Sequence, residues 1–149
     1  MKTKGFTLIE LLLVIGILVI LMAATIVAIN PFRQFALANN AARWSGATTI
    51  MDAVYQNVVD NVGTFTCAVA IPATATVMGS GTGQYNICGC IVPTYLSTMP
   101  RDPQTGSYTD CTTYNTGYNI SRDATTGRIT VCAPTTQIPP ETGTICVTR

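Results

Sequence analysis

Residues 11–29 of this 149-residue chain run LLLVIGILVILMAATIVAI, nineteen positions without a charge. As a helix rising ~1.5 Å per residue, the run is roughly 28 Å long, enough to cross a hydrocarbon core of about 30 Å. A soluble domain has no way to hide such a segment unless something outside it provides cover. Two plain readings compete. A secretory signal peptide needs a short apolar core and a small-x-small cleavage site. At candidate sites ending in Ala23, Ala24 or Ala28, the other small position is filled by Leu21, Met22 or Ile26, all too large. The run is also long for a signal core. A simple membrane anchor explains the length, and explains Lys2 and Lys4 as a cytoplasmic flank. It does not explain Glu10. A carboxylate between the basic flank and the apolar run, with Phe6, Leu8 and Ile9 around it, costs up to ~3 kcal/mol in lipid and needs a counter-ion.

The stretch Lys4-Gly5-Phe6-Thr7-Leu8-Ile9-Glu10-Leu11 resembles the class III leader of type IV prepilins and type II secretion pseudopilins. The resemblance is specific over residues 1 to about 30 and only architectural beyond. It implies cleavage by a prepilin peptidase between Gly5 and Phe6, with N-methylation of Phe6, and it gives Glu10 the role of the family's acidic assembly residue. Cleavage would remove the only two lysines, Lys2 and Lys4, leaving the Phe6 α-amine as the sole ammonium group. Glu10 lies about one helical turn from that amine, and can meet its own or a neighbour's. The resemblance implies the neighbour's, so that Phe6 and Glu10 set the register between apolar helices, as buried polar groups do in coiled coils.

Asn30-Pro31 ends the apolar run, and proline predicts a break or kink near Ile29. Many members of that family carry a helix-breaking proline somewhat nearer the N-terminus, where this chain has Val27. Gly16 is a second soft spot. Beyond Pro31, Ala47, Ile50, Met51, Val54, Val58 and Val62 recur at helical spacing, with Arg43, Thr49, Asp52, Gln56 and Asp60 mostly between them. Gly63 supplies a stop. Phe32, Phe35, Trp44 and Tyr55 are read as packing residues without an electronic role.

After Gly63 the composition turns to Thr, Gly, Tyr and Cys. Strands are predicted at 64–71, 85–92, 118–121, 128–132 and 144–148, with a hairpin around 123–127. Residues 78–83 and 100–106 read as loops, and 93–99 as a turn or brief helix. The fold class expected is α+β: a long N-terminal helix, transmembrane and then amphipathic, packed on a small antiparallel sheet. The expected boundaries are leader 1–5, spanning helix 6–30, amphipathic helix 31–63 and head 64–149.

Six cysteines follow the apolar run, an even number that reads as a disulfide set in an oxidising compartment. Cys132 and Cys146 each alternate with apolar residues, so they can bridge adjacent strands. Cys88 and Cys90, read as sharing one strand face, seek different partners among Cys67 and Cys111. A zinc site at Cys88-Gly89-Cys90 lacks paired CxxC spacing. Asp102, Asp110 and Asp123 read as solvated turn residues rather than calcium ligands. Asn119-Ile120-Ser121 matches a glycosylation sequon. The chain has no histidine, so the usual proton switch and the commonest nitrogen ligand are missing. With a net charge of +1 and only 10% charged residues, it has no field for nucleic acid.

Neither catalysis nor a cofactor or metal is expected. The resemblance implies a structural pilin subunit, held single-pass in the cytoplasmic (inner) membrane by lipid. It would then be polymerised by an inner-membrane assembly platform into an extracellular homopolymer. A pseudopilin of a secretion or DNA-uptake machine is the neighbouring alternative, and a monomeric membrane-anchored adhesin the more distant one.

Overall fold

The computed structural model describes residues 5–149; Lys2 and Lys4 lie outside the described residues. The chain forms two compact units, one ending at Phe35 and one running from Ala36 to Arg149.

In the first unit, α1 spans Leu8–Ile29 and buries none of its residues. It is long and apolar enough to cross a membrane. The predicted break falls where proline demands it. Asn30 adopts a left-handed conformation (φ 47°) and caps the end of α1, and α2 (Pro31–Asp60) starts one residue later. Pro31 suits this first helical position because its missing N–H has no partner to lose there. Asn30 also serves the new helix, since its carbonyl accepts the Arg33 N–H at 3.1 Å.

In the second unit the remainder of α2 lies against a five-stranded antiparallel sheet. The strands are β1 (Thr76–Gly79), β2 (Ser107–Asp110), β3 (Thr113–Arg122), β4 (Ile129–Ala133) and β5 (Ile145–Thr148). Their order is β1-β3-β4-β5, with β2 also pairing β3. β3 alternates strictly, burying Tyr114, Thr116, Tyr118 and Ile120; β4 buries Ile129, Val131 and Ala133. The apolar side chains among these meet Ala47, Ile50, Met51 and Val54 of α2 in one core. The α+β class and the 123–127 hairpin hold. Asp123 closes that hairpin by accepting the N–H groups of Thr125 and Thr126 at 2.9 and 2.6 Å.

Two predicted strands are absent, and two real ones were not predicted. Residues 64–71 form irregular backbone fastened to α2. Asn57 accepts the Thr66 N–H at 2.8 Å and donates to the Thr66 carbonyl at 3.2 Å, doing the work of a neighbouring strand. Within 85–92, Tyr85 makes one isolated bridge to Met78, and Cys88–Ile91 then forms a one-turn helix, α3. The Tyr114 hydroxyl accepts the N–H groups of Ile87 and Cys88 at 3.0 and 3.1 Å, supplying that helix with the cap its own sequence lacks. β1 takes Met78 and Gly79 from the predicted loop, and β2 occupies a segment too short and polar to show alternation. Gly63, at φ 86°, returns its N–H to the Val58 carbonyl at 2.8 Å and terminates α2.

Candidate functional site

The amino-terminal end of α1 is organised by its cap. Thr7 is extended (φ −80°, ψ 152°), and its hydroxyl accepts the Glu10 N–H at 3.3 Å. Glu10 Oε2 in turn accepts the Thr7 N–H and the Thr7 hydroxyl, each at 2.8 Å. This reciprocal pair satisfies two orphan donors of the first turn and places a carboxylate at the positive end of the helix. The helix therefore begins at Leu8, and Phe6 precedes the cap. Phe6 thus lies outside α1, and the stretch joining it to Glu10 is a cap rather than a continuous helical turn. Thr7 was missed by sequence reasoning, although Thr-x-x-Glu before an apolar run is itself a start signal.

Apart from Thr7, the side chains flanking this acid are apolar. Phe6, Leu8, Ile9 and Leu11 are all exposed, and so are Phe32 and Phe35 at the start of α2. The aromatic residues read as packing groups thus divide. Phe32, Phe35 and Trp44 face outward in the single chain, whereas Tyr55 packs against the core.

In the second unit the structure places Arg43 and Asp102 where the sequence did not. Arg43, expected between the apolar positions of α2, is fully buried, and so is Asp102, expected as a solvated turn residue. Arg43 Nε donates to Asp102 Oδ2 at 2.6 Å, and its terminal nitrogens donate to Asn40 and Gln104 at 2.9 and 2.8 Å. Asp102 accepts further from the Thr135 hydroxyl at 2.6 Å and from the Gln104 and Thr105 N–H groups at 2.9 and 3.0 Å. Burial pushes the Asp102 carboxyl up. The hydrogen bonds from Arg43, Thr135 and the two backbone amides outweigh it and hold the group well below the usual carboxylate range. Asn40 extends the cluster by exchanging hydrogen bonds with the Gln137 backbone at 2.8 and 3.0 Å. One clasp thus ties α2 to residues 102–105 and to the segment after β4. Its signal was legible in the spacing, since Ala36, Asn40, Arg43, Ala47, Ile50, Val54 and Asn57 form one buried helical stripe. Asp110 and Asp123 are exposed turn residues, each accepting nearby threonine groups.

All six cysteines are in disulfides: Cys67–Cys90, Cys88–Cys111 and Cys132–Cys146. Cys88 and Cys90 do go to different partners, but not because they share a strand face. On α3, Cys88 points into the core with Ile91 while Cys90 stays half-exposed. Cys132 and Cys146 stand directly opposite on β4 and β5. Asn119 of the sequon sits mid-strand between Val77 and Cys132, partly buried and with its side-chain oxygen buried.

Residues 1–26 match the family model described as the prokaryotic N-terminal methylation motif, the class III leader of type IV pilins and pseudopilins. No curated protein and no solved structure matches the chain.

Proposed function

Given a methylation motif over residues 1–26, we propose that this chain is a structural, non-enzymatic subunit of a type IV pilus. A prepilin peptidase cuts between Gly5 and Phe6 and Phe6 is N-methylated. Lipid holds α1 until an inner-membrane assembly platform moves the subunit into an extracellular homopolymer, whose core is built from α1. One observation carries this reading: α1 is 22 residues long, buries nothing in its own chain, and holds a carboxylate in its first turn. Such a surface needs lipid or other copies of itself, and an acid within it needs a cation. Pairing of Glu10 with the Phe6 amine of a neighbour meets both needs. Thr7 holds that carboxylate at the helix end, ready to be met.

Intact-mass and N-terminal analysis of protein sheared from cells tests the reading. The expected product begins at N-methyl-Phe6, has lost Lys2 and Lys4, and is six hydrogens lighter than the reduced chain. Glu10→Leu is expected to leave anchoring intact and to abolish filaments seen by electron microscopy. A surface form that keeps Lys2, or that begins beyond Ile29, overturns the proposal. Long, abundant fibres separate a pilus from the short filament of a pseudopilin.

A further inference from the structure

Two of the three disulfides cross. Cys67 pairs with Cys90 across a separation of 23 residues, and Cys88 pairs with Cys111 across the same separation, so the second loop opens before the first has closed. Cys132–Cys146 closes its own loop of separation 14 and crosses nothing. Two uncrossed alternatives exist for these four cysteines: Cys67–Cys111 with Cys88–Cys90 must bridge a single intervening residue, whereas Cys67–Cys88 with Cys90–Cys111 has loops only two residues shorter than the crossed set. Closure entropy varies as the logarithm of loop length, so the unfolded chain favours that last uncrossed set by about 1.3-fold. Chain entropy therefore leaves the two sets nearly evenly matched. Only the folded head separates them.

The separation is built into α3. Cys88 is fully buried beside Ile91, beneath the Tyr114 hydroxyl that accepts its N–H at 3.1 Å. Cys90 faces the other way, and its carbonyl accepts Asn57 Nδ2 at 3.1 Å while Asn57 also grips Thr66, the neighbour of Cys67. Joining Cys67 to Cys88 would require α3 to turn over, drawing Cys88 out of the core and forcing Cys90 in. Six cysteines allow fifteen pairings, so a chain oxidised before α3 forms is trapped in a wrong one in most cases.

We propose that the head matures as a substrate of a protein thiol–disulfide isomerase in the compartment where it folds. The exchange consumes no electrons. A catalyst thiolate attacks Cys88 Sγ of the Cys67–Cys88 bond, giving a mixed disulfide and releasing the Cys67 thiolate. That thiolate attacks Cys90 Sγ, forming Cys67–Cys90 and releasing the Cys111 thiolate. Cys111 then attacks Cys88 Sγ, forming Cys88–Cys111 and returning the catalyst thiolate. This sequence does not depend on whether α1 polymerises.

The test expresses the full chain in a host with an oxidising compartment, with and without that compartment's disulfide isomerase. Pairings are mapped by fragmentation of non-reduced peptides within Cys88-Gly89-Cys90. Without isomerase, the crossed set is expected to fall at least about twofold as the uncrossed set and other mispairings accumulate. The same mapping on full chain unfolded in detergent, oxidised with ferricyanide and then returned to native conditions needs no host. There the uncrossed set should persist until a reduced and oxidised glutathione pair is added. The Cys88→Ala/Cys111→Ala variant removes the crossing and should form Cys67–Cys90 equally in both hosts. Crossed pairing alone in the isomerase-free host, or crossed pairing alone after ferricyanide oxidation, overturns the proposal. So does persistent isomerase dependence in the variant.

Discussion

Arg43 and Asp102 show how much one buried pair can decide. Neither has contact with water, and the pair is held by partners from three separate segments. Removing one member of such a pair leaves an uncompensated charge and costs about 3–5 kcal/mol. Arg43→Met is therefore expected to lower unfolding free energy by roughly that amount, and Arg43→Met/Asp102→Asn to recover part of it, read by urea denaturation of detergent-solubilised chain. Tyr118 stands beside this clasp with the opposite accounting. Its hydroxyl is buried without a hydrogen-bond partner and lies against Gly46, where an added Cβ would come within 2.9 Å of the ring. Tyr118→Phe removes an unsatisfied group and is expected to be neutral or stabilising by about 1 kcal/mol. Burial also pushes the Tyr118 hydroxyl up to about 12 from 10.0. The unfolded chain therefore ionises first, and the stability this group contributes is present below pH 10 and lost as pH rises toward about 12. The Phe variant should flatten that alkaline loss, measured as thermal midpoint against pH.

Among the elements, those with a strong period were the legible ones. The apolar run foretold α1, Asn30-Pro31 foretold its end, and alternation in 118–121 and 128–132 foretold β3 and β4. Of the short elements, β5 was foretold by the strand expected at 144–148, whereas α3 and the course of 64–71 were not, because tertiary contacts make them. α3 owes its cap to Tyr114, a residue of β3, and 64–71 owes its course to Asn57 of α2. The same holds for the candidate site. Gly5, Phe6 and Glu10 were visible as a motif, and the six cysteines as a set. The Arg43–Asp102 clasp was overlooked because charge was read as a sign of exposure even on the buried stripe. The end of α2 carries a strain that can be relieved. Val62 is almost fully exposed and adopts φ 56°, a left-handed conformation costly for a β-branched side chain. Val62→Asn is expected to stabilise the head by about 1 kcal/mol, seen as a higher urea midpoint with unchanged slope.

Over the whole molecule, the balance of charge makes stability sensitive to acid rather than to salt. Asp102 keeps its proton off to a lower pH in the folded head than in the unfolded chain, whose carboxylate titrates near 3.8. The stability it contributes is thus complete above that value and is lost as pH falls further below it. A urea midpoint followed downward from pH 6 should hold until about pH 4 and then decline. The Arg43→Met/Asp102→Asn variant should lessen that decline, leaving the part due to Asp110 and Asp123, whose carboxyls are also held low by hydrogen bonds from neighbouring threonines. By contrast, the Asp52–Arg149 pair is exposed on both sides, and its removal should shift the midpoint little.

The crossed cysteines also shorten the route a pulling force can take through the head. Traced bond by bond, a tether entering at Cys67 jumps to Cys90, steps back to Cys88 and jumps again to Cys111. About 40 residues are bypassed, so roughly 140 Å of backbone cannot be spooled out under load even if every strand is peeled apart. The segment from Cys67 to Cys111 therefore yields to tension by a short, fixed amount and then holds like a link in a chain.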